Sequence, residues 1–279
     1  MIEGKPELSS NEVLDIFKKR EKQFMKGFEL ANGVILKKIT IDDLKLLNNS
    51  PFIFRPTNGF KSNLFLLEKQ FNDQILKTNI YREIRNVVIA LRLLKEGSVS
   101  GNYFYEIMIT DGVKRIPSAK MEQCPRLFGK LGYPYFFTES DIPALNEIMS
   151  KIQLVDFTKR TSLHLAIKRF ERGYDEEDKL IDFMIAFEAL FLKGEKGSFA
   201  NGKIISIACS ALIGNNENDR EQIKENLLKA YKIRNAIVHA GSYNRLITNK
   251  ETGACIDTLP DLLTKVENYL RSSLNKMLE

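Results

Sequence analysis

The chain has 279 residues, 43% of them apolar and 28% charged, and a formal net charge of +6. That length suits one large domain or two of ordinary size with real cores, and the mixed charge and apolar content exclude a disordered or collagen-like chain. Three cysteines, Cys124, Cys209 and Cys255, are too few and too scattered for a disulfide framework or a paired-cysteine zinc site, and two histidines, His164 and His239, exclude a histidine-rich metal centre.

The N-terminal stretch is charged from Glu3 onward and has no apolar h-region, so no signal peptide is expected. The densest apolar run, residues 183–192, is interrupted by Glu188 and too short to span a bilayer. A protein of the reducing cytoplasm, with no membrane partner, is the expectation. The positive excess is +4 over residues 1–150 and +2 over the rest. Such a spread permits an RNA or DNA partner but does not mark a dedicated basic surface.

In chain order, Ser9 and Glu12 fit a capping box ahead of a helix reaching about Lys26. Residues 33–39 (GVILKKI) read as a strand, and Thr40 with Asp43 caps a short helix over 42–47. Aromatic and β-branched runs broken by Pro and Gly suggest strands within 52–70. Residues 81–95 (YREIRNVVIALRLLK) form an amphipathic helix that stops at Gly97. A strand over 103–109 turns at Asp111-Gly112 into another over 113–116. Pro117, Pro125 and Pro134 punctuate a segment with little periodicity.

From Thr138 onward the pattern is helical. Thr138 and Asp141 open a helix to about Gln153, a second spans about 159–172, and an acidic loop is expected over 175–178. Helices follow over about 178–193, 203–213 and 219–240, then a Gly-, Asn- and Thr-rich loop over 241–258 and a last helix over 259–278. The fold class is α+β, with a mixed α/β N-terminal domain over 1–154 and an all-α helical domain over 155–279.

Residues 197–204 (GSFANGKI) match the phosphate-loop spacing GxxxxGK, but Ile204 stands where a magnesium-binding hydroxyl is required, and the segment follows a helix where a phosphate loop follows a strand. A glycine loop between two helices is the expectation. No dinucleotide fingerprint, nucleophile elbow or HExxH zinc motif occurs.

The helix over 227–239 (LLKAYKIRNAIVH) carries polar residues in unusual places. At about 100° per residue, Arg234 falls inside the apolar arc formed by Leu227, Ala230, Tyr231, Ile233, Ile237 and Val238. A charge there is costly unless paired. Asn235 and His239 share a stripe at one edge of that arc, and a long arginine can snorkel to the same cleft. Taken singly, these residues read as a helix-stapling arginine, a solvated asparagine and a histidine stabilising a helix C-terminus. Together they favour a site. Between Phe183 and Leu192, Glu188 is the only polar side chain. A helix that apolar is buried, so Glu188 needs a cation, and the expectation is that it pairs with Arg234. His164 sits beside the Leu163, Ala166, Ile167 and Phe170 face and reads as a boundary histidine.

Arg234-Asn235-Ala-Ile-Val-His239 resembles the signature of the HEPN superfamily: arginine, a polar residue, three residues, histidine. Residues 180–190 (LIDFMIAFEAL), 160–170 (RTSLHLAIKRF) and the motif helix resemble the ApeA-like HEPN group over about 155–279. The N-terminal part, with VVIALRLLKEGSV, looks like the mixed domain preceding HEPN in uncharacterised prokaryotic relatives. The resemblance implies a four- or five-helix bundle that homodimerises and cuts RNA at a cleft between two motif helices, without metal or cofactor. Arg234, Asn235 and His239 then carry the family's catalytic motif, with Glu188 supporting by the packing reasoning above. It further implies a role in antiviral defence or toxin-like growth arrest, with a regulatory partner or ligand met through the N-terminal domain. The competing readings are a non-catalytic HEPN module that binds nucleotide or RNA or dimerises an assembly, and a structural protein in which these residues only stabilise the bundle.

Overall fold

The computed structural model describes residues 27–48, 65–71, 77–97, 99, 103–121, 135–172, 175–192, 200–240 and 258–279. The helix expected after Ser9, the strands expected over 52–64, Cys124, Pro125, Pro134, Gly197, Cys255 and the loop over 241–257 lie outside them. The fold is α+β. Small antiparallel sheets occupy the N-terminal part, and every described element after residue 138 is helical. Two compact units interleave along the chain, where the sequence reading drew one linear boundary: Met1–Arg85, Asn102–Glu122 and Phe137–Asn146 supply the first, and Asn86–Gly101, Gln123–Phe136 and Glu147–Glu279 the second.

In the first unit, β1 (Phe28–Glu29), β2 (Ile35–Lys38) and β3 (Phe65–Glu68) form an antiparallel sheet in that order, with Leu36 opposite Phe28 and Leu67. Phe28, Leu30, Val34 and Leu36 are buried, and Phe137 meets Phe28 edge to face at 6.0 Å. Helix α1 (Ile41–Asn48) starts where the sequence places it. The Asp43 carboxylate accepts from the Thr40 backbone N–H at 3.0 Å, and the Thr40 hydroxyl accepts from the Asp43 N–H at 3.1 Å, which completes a capping box. Strands β4 (Tyr103–Thr110) and β5 (Val113–Met121) form a hairpin. Its turn needs two positive φ angles, and Asp111 (+49°) and Gly112 (+76°) supply them. Strand β5 runs five residues beyond the expected end at Ile116, through Pro117.

Helix α2 (Lys77–Leu94) begins four residues before the expected Tyr81, because Ile80 is also buried. From Val87 to Leu93 its apolar residues are buried. Gly97 ends the segment at φ +127°, and a Cβ there would stand 2.8 Å from the Tyr135 Cα, so only glycine fits.

The second unit contains α4 (Thr161–Phe170), α5 (Glu176–Phe191), α6 (Asn201–Ile213), α7 (Glu217–Ala240) and α8 (Leu259–Met277), reached through α3 (Ile142–Leu154). Helix α5 packs against α4, α6, α7 and α8. It buries Leu180, Phe183, Met184, Ala186, Phe187 and Leu190. The stretch 175–178, expected as an acidic loop, is instead a helix start: the Asp175 carboxylate accepts from the Asp178 N–H at 2.8 Å, and Glu176, Glu177 and Asp178 fill the first turn. Acidic side chains there complement the helix dipole and the free N–H groups. Helix α8 is capped by Thr258, with Pro260 in its first turn.

Buried charges join the end of α2 to the bundle. The Arg92 guanidinium donates to the Val99 carbonyl at 2.8 Å and to the Glu171 carboxylate at 3.2 Å, while Arg271 donates to the Arg92 carbonyl at 2.8 Å. The Arg92 and Glu171 side chains keep only 7% and 10% of their exposure. Removing one partner strands the other charge. Arg92→Met is expected to lower the unfolding free energy by about 3–5 kcal/mol. In urea titrations, Arg92→Met/Glu171→Met should recover most of that loss.

Cys209 faces the Ser273 hydroxyl at 3.5 Å between α6 and α8, and burial pushes its thiol up to about 12. The folded protein therefore holds a proton that the unfolded chain releases above about 9. By linkage, this contribution to stability is intact below pH 9 and declines as pH rises toward 12. Cys209→Ala is expected to flatten that alkaline decline in a series of denaturant titrations.

Candidate functional site

Helix α7 lays Ile223, Leu227, Ala230 and Ile233 into the bundle, each essentially without exposure. This i, i+3, i+4 pattern fixes the rotation of the helix. Arg234, next to Ile233, is held at the boundary, where its guanidinium meets α5. Its Nη2 stands 3.6 Å from Glu188 Oε1, with the two side chains 19% and 25% exposed. The pairing expected from the sequence is present. The same guanidinium donates from Nη1 to Asn235 Oδ1 at 2.9 Å. Its Nε is buried with no hydrogen-bond partner among the described residues.

Glu188, Arg234 and Asn235 are thus joined by direct contacts. His239 lies apart from them, exposed on the last turn of α7. It follows Asn235 by four residues and so stands on the same stripe one turn on. Val238, assigned by the sequence to the apolar arc, is 49% exposed. His164 is half-buried, with its ring 5.2 Å from that of Phe157.

An arginine has five N–H groups. One Nη1 hydrogen goes to Asn235, one Nη2 hydrogen faces Glu188 and the Nε hydrogen is buried. Among the described residues, the two remaining Nη hydrogens make no hydrogen bond. A guanidinium held this way matches the geometry of a phosphate.

No family model, curated protein or solved structure matches the chain.

The sequence places Tyr231 in the apolar arc of α7 and gives it no role in the site. Tyr231 lies three residues before Arg234, and its ring centre is 5.8 Å from the Arg234 guanidinium carbon. Gly202, the second glycine of the phosphate-loop-like segment, sits inside α6. A Cβ on it would come within 2.8 Å of Tyr231 Cδ1. In the described residues it serves the close approach of α6 to α7. The signal for Tyr231 was its i, i+3 spacing to Arg234, which puts both on one stripe. Gly202→Ala is expected to cost about 1–3 kcal/mol of stability through overpacking. Thermal unfolding of the variant measures the effect, and a midpoint equal to wild type would mean that the helices part freely.

Proposed function

We propose that the second unit is a metal-independent endoribonuclease domain of the HEPN type, a four- or five-helix bundle working as a homodimer. It cuts RNA by attack of a 2′-OH on the adjacent phosphate. The supporting observation is a guanidinium fixed by Glu188 and Asn235 beside the stripe that carries an exposed imidazole, His239.

The roles follow from the chemistry. His239 takes the proton from the 2′-OH. The 2′-oxygen bonds to phosphorus, the bond to the 5′-oxygen breaks, and the leaving oxygen takes a proton. The products are a 2′,3′-cyclic phosphate and a 5′-OH. Arg234 stabilises the charge on the pentavalent phosphorus. Asn235 holds Arg234 and orders the cleft edge. One imidazole serves as base or acid but not both at once, and a second copy of the chain supplies the other. The first unit is the place for a regulatory partner or ligand, and a role in defence or growth arrest rests on the sequence resemblance. Among the described residues, no helix is long and apolar enough to cross a membrane.

The test is incubation of wild type, His239→Ala and Arg234→Ala with total RNA plus EDTA, followed by mapping of the ends. Wild type should leave cyclic phosphates. Each variant should lose about 100-fold or more in rate, the scale of removing a general base or an oxyanion-stabilising group. Binding of RNA without cleavage by wild type would replace this reading with a non-catalytic binding module. Cleavage by either variant at the wild-type rate would reject the assigned roles.

A further inference from the structure

We infer that Tyr231 is a positioning residue for Arg234, bracing the guanidinium between helix α6 and the Glu188 carboxylate. The inference rests on the reading of Arg234 as the phosphate-binding cation.

Three observations meet at this side chain. First, the guanidinium carbon stands 5.8 Å from the ring centre, within cation–π range. Second, the ring is backed by α6. A Cβ built on Gly202 would lie 2.8 Å from Tyr231 Cδ1 and 2.9 Å from Cγ, so the ring occupies the space of a missing side chain and has little freedom to swing. Third, the hydroxyl interacts with Glu188 and Asn201. Burial raises the phenol above its ordinary value, and Glu188 raises it further, while Arg234 and Asn201 pull the other way. The phenol keeps its proton, and in the inferred arrangement it donates that proton to the carboxylate.

The contacts form a chain of restraint. Gly202 lets the ring in, and the ring supports one face of the guanidinium. In the inferred arrangement the hydroxyl orients Glu188, and Glu188 faces Nη2 at 3.6 Å. Asn235 holds Nη1. Nε contributes nothing, since it has no hydrogen-bond partner among the described residues. Beyond the partial double-bond character of the Nε–Cζ bond itself, rotation about that axis is opposed by these outer contacts. Tyrosine suits the position because it combines a flat support with a donor. Phenylalanine would keep the first and lose the second.

The experiment uses the full chain and two readouts. The first is the nitrogen-15 spectrum of the Arg234 guanidinium, identified by its disappearance in Arg234→Lys. In wild type, hindered rotation should give separate Nη1 and Nη2 signals. In Tyr231→Phe these should broaden or merge, while the thermal midpoint stays close to wild type. The second is RNA cleavage. In Tyr231→Phe, kcat should fall roughly tenfold with KM unchanged, as for one lost hydrogen bond to a charged group that acts in the transition state. Tyr231→Leu, which also removes the ring, should show a larger effect on both; if it does not fold, Tyr231→Phe decides alone. Separate, unbroadened Nη signals in Tyr231→Phe would overturn the inference. Loss of kcat in proportion to loss of folded protein would overturn it as well, by reducing Tyr231 to a packing residue. If wild type cuts no RNA, the nuclease proposal fails while the spectrum still decides whether Tyr231 holds Arg234.

Discussion

Helix α5 has almost no face to give to solvent. From Leu180 to Leu190 its residues are buried or half-buried, and four other helices pack around it. A carboxylate on such a helix must be compensated, because leaving it unpaired costs more than any single apolar contact there returns. Glu188 meets this constraint through Arg234, and the consequence reaches the rest of the site. The rotation of α7 is set by Ile223, Leu227, Ala230 and Ile233. Once that rotation is fixed and Arg234 is drawn to Glu188, Asn235 and His239 have to lie along the outer edge. The site geometry is thus a by-product of how two helices bury their apolar faces.

The degree of burial separates the ionic contacts into different kinds. Arg92 and Glu171 are sealed in, and their guanidinium and carboxylate are taken up by each other and by a backbone carbonyl. Such a pair fixes a helix end but has nothing to offer a ligand. Arg169 and Asp182 sit at 2.6 Å, a close, direct contact. Arg234 and Glu188 stand farther apart, at 3.6 Å, with the carboxylate the more exposed partner. A looser, partly solvated pair keeps residual positive charge at the guanidinium edge, which an incoming phosphate can claim. That difference in contact, rather than the presence of an arginine, is what supports the role proposed for Arg234.

Much of this was legible in the sequence because it depends on period and spacing. The all-apolar run around Glu188 and the position of Arg234 inside an apolar arc led directly to the ion pair. The Thr40 and Asp43 spacing gave the capping box of α1. Other features were not legible, for identifiable reasons. Residues 175–178 were read as a loop because four consecutive acidic or polar residues look solvated; their service to the helix dipole appears only when the helix is known to start there. The membership of the end of α2 in the helical unit depends on Arg92 meeting Glu171 79 residues away, a contact with no local signature. Tyr231 was placed among the apolar residues of α7, since a ring at helical spacing reads as core whatever its hydroxyl does.

Gly202 shows why a motif has to be weighed with its surroundings. Its GxxxxGK spacing invites a phosphate, yet the structure uses the missing side chain to admit the Tyr231 ring. The same absence of a Cβ lets a backbone approach a phosphate in one context and an aromatic ring in another. Here the glycine lies within α6, facing α7, with its space filled by protein. A phosphate has no room at that Cα. In the proposed function the phosphate is met at the Arg234 guanidinium, and the glycine contributes only by letting α6 come close to the Tyr231 ring.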